Sequence, residues 1–90
     1  YFMNDIEIRL FGAFRKYVSS GSVKVCIPSQ FTVAQLKEIV KCELQRQSSE
    51  FTDYNLVYES AVATESEVLA EDDMVKDLRH LALLPPVCGG

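Results

Sequence analysis

The segment Pro85-Pro86-Val87-Cys88-Gly89-Gly90 combines rigid prolines, a thiol and two glycines, residue types that suit insertion into a reactive site of another protein. Gly89 and Gly90 have no side chains, so the backbone can enter a narrow channel and approach another group closely. Pro85 and Pro86 fix φ and hold the chain extended. Residues 87–90 then span roughly 13 Å, enough to reach a buried site in another protein. The pattern predicts an extended segment that enters a site in a partner; a frayed end without function is the alternative.

The cysteines offer thiol chemistry, but their placement limits it. Attack of the Cys88 thiol on the carbonyl of Gly90 would close a medium-sized ring containing two amides. Trans peptide bonds strain such a ring and cis bonds are costly, so self-capture is disfavoured. A mixed disulfide with a partner is the remaining chemical role for the Cys88 thiol, and a small residue without such a role is the alternative. Cys26 and Cys42 complete an odd, widely spaced set without a CxxC pair, which predicts free thiols in a reducing cytoplasm.

The remaining polar residues predict surface rather than catalytic roles. His80 is the only histidine and has no nucleophile or carboxylate placed beside it by the sequence. The acidic stretch Glu65–Asp73 is typical of a solvated face, which could also steer a basic partner. Thirteen acidic and nine basic residues give a net charge of -4, which disfavours nucleic-acid binding. No apolar run has membrane-spanning length and no signal peptide precedes Met3, so we expect neither a membrane nor secretion.

Two strands are expected before the first helix. Ile6, Ile8 and Leu10 alternate with polar neighbours, and the pattern returns from Ser22 to Ile27 after a turn. The two strands predict an antiparallel hairpin whose connection, residues 13–18, is a long and partly ordered loop. Ninety residues suit one domain, for which we expect a tag remnant at 1–2, a folded domain at 3–86 and an extended tail at 87–90.

A helix and further strands complete the predicted fold. Thr32 and Gln35 form a T-x-x-Q capping box, and Phe31 can pack on Leu36 as a hydrophobic staple. An apolar stripe follows at Val33, Leu36, Ile39, Val40 and Leu44. After the helix the sequence predicts a strand at 56–58 together with 61–63, a short one at 68–69 and a last one at 81–84. The order is β-β-α-β-(β)-β, with the first and last strands of the chain side by side at the sheet centre. This order predicts an α+β fold, the ubiquitin-like β-grasp, with a mixed sheet on one main helix.

Three stretches resemble the MoaD/ThiS family of sulfur-carrier proteins, and within it the MoaD branch. IEIRLFGAFRKYV is similar to the family's first strand and following loop, and TVAQLKEIV to its helix start. LALLPPVCGG is similar to the family ending of an apolar strand, Pro-Pro-Val, one variable residue and Gly-Gly. The segment Lys76–His80 resembles an insertion, and Ala63-Thr64-Glu65 replaces the usual Asn-Gly hairpin. Both departures fall on loops.

The resemblance implies a sulfur carrier of molybdenum cofactor biosynthesis. A ubiquitin-activating-like adenylyltransferase would use ATP to adenylate Gly90, and a persulfide donor would convert it to a thiocarboxylate. The carrier binds no cofactor itself and is the non-catalytic small subunit of molybdopterin synthase, recharged after each use. Two small and two large subunits would form a heterotetramer, in which the large subunit supplies the acid and base groups.

A partner-binding surface is predicted around the base of the tail. Phe11 and Leu84 occupy the same outward phase of neighbouring strands, which predicts an exposed apolar patch. Arg15 matches a basic position near that patch in the resemblance. We therefore expect partner contacts at Phe11, Arg15, Leu84, Pro85, Pro86, Val87 and Cys88.

Three alternatives remain open from the sequence. The same carrier chemistry could serve thiamine, cysteine or tRNA thiolation. The chain could instead be a ubiquitin-like modifier joined through Gly90 to a target lysine, since the activation step is shared. It could also be a binding module whose glycines are incidental, in which case removing Gly89 and Gly90 leaves function intact.

Overall fold

The alternating residues at the start of the chain form two paired strands, as predicted. The computed structural model describes residues 3–28, 30–76 and 80–86. Strand β1 covers Met3–Leu10 and β2 covers Ser22–Pro28. They pair antiparallel, with Ile6 opposite Val25 and Ile8 opposite Val23, so the apolar side chains of both strands share one face. The hairpin prediction is confirmed.

The connection between these strands is more ordered than the sequence suggested. A 3₁₀ helix covers Gly12–Lys16, where a partly ordered loop was expected. Phe14 is fully buried and Val18 is nearly so, which ties the connection to the core. Backbone bonds close it: the N–H of Tyr17 donates to Phe14, and that of Leu10 donates to Gly21. Phe14, Tyr17 and Val18 have the i, i+3, i+4 spacing of a helical turn, a signal too short to distinguish this turn from a loop.

Helix α1, Val33–Gln47, begins as the capping box predicts. The N–H of Gln35 donates to Oγ1 of Thr32 over 3.3 Å, and the N–H of Thr32 donates to Oε1 of Gln35 over 2.8 Å. The predicted stripe faces the sheet, with Ile39 only partly buried at its margin. Phe31 and Leu36 belong to the same buried cluster, as a hydrophobic staple requires.

The strand predicted at Leu56, Val57 and Tyr58 is wrong. These residues lie in a short helix, α2, covering Tyr54–Tyr58. Its backbone groups are satisfied locally: the N–H of Glu59 donates to Asn55, and that of Ser60 donates to Val57. Val57 is buried, and the α2 segment packs on α1. Apolar and aromatic residues favour strands, but packing on a neighbouring helix overrides that weak preference in so short a run.

The last three strands complete a mixed sheet. They are β3 at Ala61–Ala63, β4 at Val68–Leu69 and β5 at Leu81–Leu84. In the described chain the five strands are ordered β2-β1-β5-β3-β4, with β1 and β5 parallel and the other pairs antiparallel. The first and last strands are therefore adjacent at the centre, as predicted. Because β5 is central, the chain that follows it leaves the domain from the middle of the sheet.

The core lies between one face of this sheet and α1. It contains the inward residues of β1, β2 and β5, the stripe of α1, and Phe14, Phe31, Phe51 and Val57. The order of elements and the single main helix confirm the predicted α+β class. The opposite face of the sheet has no helix packed on it among the described residues.

Neither helix in the described ranges is long and apolar enough to cross a membrane.

Among the described residues, one charged side chain is buried, that of Lys37 on α1. The side chain of Lys37 is only 4% exposed, and its ammonium donates to the carbonyl of Tyr58 over 3.1 Å and to the carboxylate of Glu71. A buried ammonium is tolerated only when its protons are satisfied. Lys37 thus joins α1, the end of α2 and the turn after β4.

Replacing Glu71 with Gln is expected to destabilise the domain by about 1–2 kcal/mol, because the buried ammonium of Lys37 then loses its counter-charge. Urea unfolding measures this change. Glu50→Gln is the matched control, since Glu50 is exposed, and it should alter stability by less than about 0.5 kcal/mol. Equal stabilities for the two variants would contradict the role given to Lys37.

Candidate functional site

The predicted apolar patch forms where β1 and β5 end side by side. Their parallel register places Leu10 beside Leu83, and both side chains are buried. Phe11 continues β1 in an extended conformation, with φ −126° and ψ 163°, so its side chain turns to the opposite face. Phe11 is 41% exposed, and Leu84, the next residue of β5, is half-buried. The structure therefore brings Phe11 and Leu84 together, as the sequence predicted.

The patch extends across the sheet face that carries no helix. Leu84 pairs with Ala61 of β3, and in the next row Ala82 lies between Arg9 and Ala63. We call the residues Arg9, Phe11, Ala61, Ala82 and Leu84 the outer face. Ala61 and Ala82 contribute small apolar side chains to this face, and Arg9, beside Ala82, contributes a positive charge. A surface of this kind suits contact with another protein.

Pro85 and Pro86 follow Leu84 at the edge of the outer face, and both are half-buried. The ring of Pro85 rests on Gly12, the residue after Phe11 and the first of the 3₁₀ helix. The predicted role of both prolines in directing the chain is compatible with this position. The chain leaves the described domain at Pro86, beside Phe11.

Arg15 lies close to the same patch. Its side chain is exposed and, together with Arg9 and Phe11, lines a shallow concavity between the 3₁₀ helix and the start of β2. The guanidinium lies over Gly21, 3.7 Å from where a side chain at that residue would begin. The two arginines give this end of the outer face basic groups, although the whole chain has a net charge of -4.

Four predicted site residues, Val87, Cys88, Gly89 and Gly90, lie outside the described residues. So do Tyr1 and Phe2, for which a tag remnant was predicted, and residues 77–79 of the predicted insertion. Their assignments stay predictions. What the described residues supply is the surface from which the tail departs.

Cys26 and Cys42 are free and exposed. Both line an open groove of 950 Å³ between β2 and α1, with Ile39 and Val25 among its apolar residues. The pKa of the Cys26 thiol is raised because partial desolvation and a hydrogen bond to Asp5 disfavour the thiolate.

The other polar candidates occupy the surface. His80 is exposed, and its Nε2 lies 4.0 Å from a carboxylate oxygen of Glu65. The acidic residues Glu67, Asp72 and Asp73 line a concavity beside β4, away from the central strands. Within residues 3–28, 30–76 and 80–86, no group of three or more His, Cys, Asp or Glu side chains could hold a metal ion.

Comparison with solved structures identifies the fold. The chain is similar to SAMP1 from Haloferax volcanii, with 26% identity and a TM-score of 0.66, over 97% of this chain and 100% of SAMP1. The fold is the ubiquitin-like β-grasp. SAMP1 has a MoaD/ThiS-like β-grasp, so the predicted family is supported at that coarse level, without distinction of its MoaD branch. No protein-family model and no curated protein matches the chain.

Within this β-grasp, sequence reasoning missed three residues of the site. Ala61 and Ala82 were assigned to strands, but only the pairing of β5 with both neighbours shows that they belong to the outer face. Gly12 was not singled out, although an isolated glycine directly after a strand is a signal of close backbone approach.

Proposed function

We propose that this chain is a sulfur carrier that works through a carboxyl on Gly90 and donates sulfur in molybdopterin biosynthesis. The observation that carries the proposal is the position of the chain's exit. Strand β5 is central, and it delivers Pro85 and Pro86 to the edge of an exposed apolar surface made by Phe11 and Leu84. A partner that docks on the outer face is thereby placed to receive the residues that follow.

The chemistry requires the carboxyl to become an electrophile. A carboxylate oxygen of Gly90 attacks the α-phosphorus of ATP on the activating partner, and pyrophosphate leaves. The terminal sulfur of a persulfide donor then attacks the acyl carbon and AMP leaves. A second thiol cleaves the sulfur–sulfur bond of the product, becomes oxidised to a disulfide with the donor, and leaves a thiocarboxylate on Gly90.

The domain itself has a positioning role in this scheme. The five residues of the outer face are four apolar residues and Arg9, with Arg15 nearby, and none of the five is a carboxylate or a histidine that could act as acid or base. Acid–base groups are accordingly assigned to the partners: an adenylyltransferase for loading and a large subunit of molybdopterin synthase for transfer. Docking energy from Phe11 and Leu84 holds the reactive carboxyl in place.

The assignment to molybdopterin rests on the resemblance of LALLPPVCGG to the MoaD ending. It is tested by mixing thiocarboxylated chain with purified large subunit and the pyranopterin precursor. Formation of molybdopterin, in an amount set by the amount of thiocarboxylate added, is the expected result. No product with this chain, when a known small subunit gives product in parallel, would assign the carrier to another pathway.

A second candidate function is protein modification through Gly90, which the likeness to SAMP1, a ubiquitin-like fold of carriers and modifiers, also supports. Activation is shared, and the acceptor differs: a lysine amine displaces AMP in place of sulfur. Trypsin cleaves after Arg79, so a modified lysine would carry residues 80–90 as a branch. Such branched peptides in native-cell digests would favour the modifier, and their absence alongside thiocarboxylate would favour the carrier.

A further inference from the structure

Gly12 meets two steric constraints at once. Its φ is +62°, a conformation that residues with a side chain rarely adopt. A Cβ built on Gly12 would also lie 2.7 Å from Cγ of Pro85, closer than real Cβ contacts allow. The bare Cα of Gly12 therefore forms the surface on which the Pro85 ring rests.

Both sides of this contact are anchored. On one side, Gly12 begins the 3₁₀ helix that Phe14 fixes in the core with 0% exposure. On the other side, Pro85 follows a strand held by two neighbours, since Leu83 pairs with Leu10 and Leu84 pairs with Ala61. The proline ring also fixes φ, so the residue cannot rotate away freely. Extra volume at Gly12 must displace the chain at its point of exit.

We infer that Gly12 is a positioning residue for the tail, because its contact with Pro85 sets the direction in which the chain leaves the domain. The inference rests on the proposed function, since direction matters only if the following residues must enter a partner. The contact lies next to Phe11. Two consecutive residues therefore supply the docking side chain (Phe11) and the surface that the Pro85 ring contacts (Gly12). A partner bound on the outer face is then adjacent to the point where the chain leaves the domain at Pro85 and Pro86.

Gly21→Ala provides a matched control for Gly12→Ala. Gly21 also has a positive φ, +78°, so both substitutions strain the backbone. At Gly21, however, the nearest atoms to an added Cβ belong to the flexible end of Arg15, at 3.7 Å, which is ordinary contact. The two variants thus share the conformational penalty and differ in their effect on Pro85.

The test is ATP–pyrophosphate exchange with the activating partner. Gly12→Ala is expected to lower kcat/KM for the chain roughly tenfold, because misplacing a reacting group is costly, while Gly21→Ala retains it. Pro85→Ala removes the ring that rests on Gly12, so by itself it should also lower kcat/KM, and Gly12→Ala should add little further loss in that background. Equal losses in both glycine variants, or losses that add fully in the double variant, would overturn the inference.

A readout that does not depend on activity separates this inference from the proposed function. Amide resonances of Val87 to Gly90 should shift in Gly12→Ala and stay unchanged in Gly21→Ala, whether or not any enzyme adenylates the chain. If the amide resonances of Val87 to Gly90 have the same chemical shifts in Gly12→Ala as in the wild type, the positioning role is overturned. If Gly12→Ala shows those shifts but the wild-type chain is never adenylated, the proposed function alone is overturned.

Discussion

Removal of Gly89 and Gly90 is expected to lower ATP–pyrophosphate exchange by more than about 100-fold, while the domain stays folded. The deletion moves the terminal carboxyl back to Cys88 and shortens the extended reach by roughly 7 Å. It also replaces a bare Cα at the reacting carbonyl with a side chain, which a narrow channel excludes. Misplacement of 1 Å already has a large effect on reactions that depend on orientation, so a displacement of two residues leaves little activity.

Deletion of Tyr1 and Phe2 is the matched control for this experiment. It also removes two residues from a terminus, but at the end that precedes β1. Exchange should stay at the wild-type level in this variant, and both deletions should unfold at the wild-type temperature. Exchange that survives loss of the two glycines would favour the binding module with an incidental tail.

Phe11→Glu is expected to weaken binding to the activating partner and to the large subunit ~30-fold, since loss of an interface anchor costs about 2 kcal/mol. The substitution places a charge on the outer face, next to Leu84, where docking would remove it from water. Phe11 is already 41% exposed, so the unfolding free energy should change by less than about 1 kcal/mol. Isothermal titration calorimetry with each purified partner measures the affinities.

Val68→Glu is the control for Phe11→Glu. It tests whether affinity depends on the position of the substitution on the outer face or on the loss of any exposed apolar residue. Val68 is 63% exposed and lies on β4, the edge strand two positions from β5 in the sheet. Its replacement should leave both affinities within about twofold of wild type, as usual for a residue outside an interface. A similar loss of affinity in the two variants would exclude the outer face as the docking surface.

The predictions that held rest on strong local signals. Ile6, Ile8 and Leu10 alternate with polar residues, and only an extended strand places all three on one buried face. This alternation predicted strand β1 correctly. Thr32 and Gln35 satisfy each other's backbone groups across one turn, so the start of α1 could be read from four residues. Placing the first and last strands side by side followed from their apolar character, and it positioned Phe11 beside Leu84.

The misses involve contacts between residues far apart in the chain. The contact between Pro85 and Gly12 depends on the parallel register of β1 and β5, which cannot be predicted from a local sequence pattern. The burial of Lys37 depends on Glu71 arriving from the turn after β4. A signal was available here, since Lys37 lies four residues after Val33 and three before Val40, on the apolar stripe itself. Helix α2 was missed because its residues favour strands unless neighbouring packing decides otherwise.

The central claim is that the carboxyl of Gly90 is the site that is activated and loaded with sulfur. Intact-mass spectrometry of the chain isolated from its native cell, without added thiol reagents, tests it most directly. The account predicts a species whose mass differs from the chain ending at Gly90 by exchange of one oxygen for sulfur. Fragmentation should place the change at Gly90, and alkylation should block further transfer. A chain that carries only an oxygen carboxyl in cells engaged in cofactor synthesis, or one that continues beyond Gly90, would contradict it.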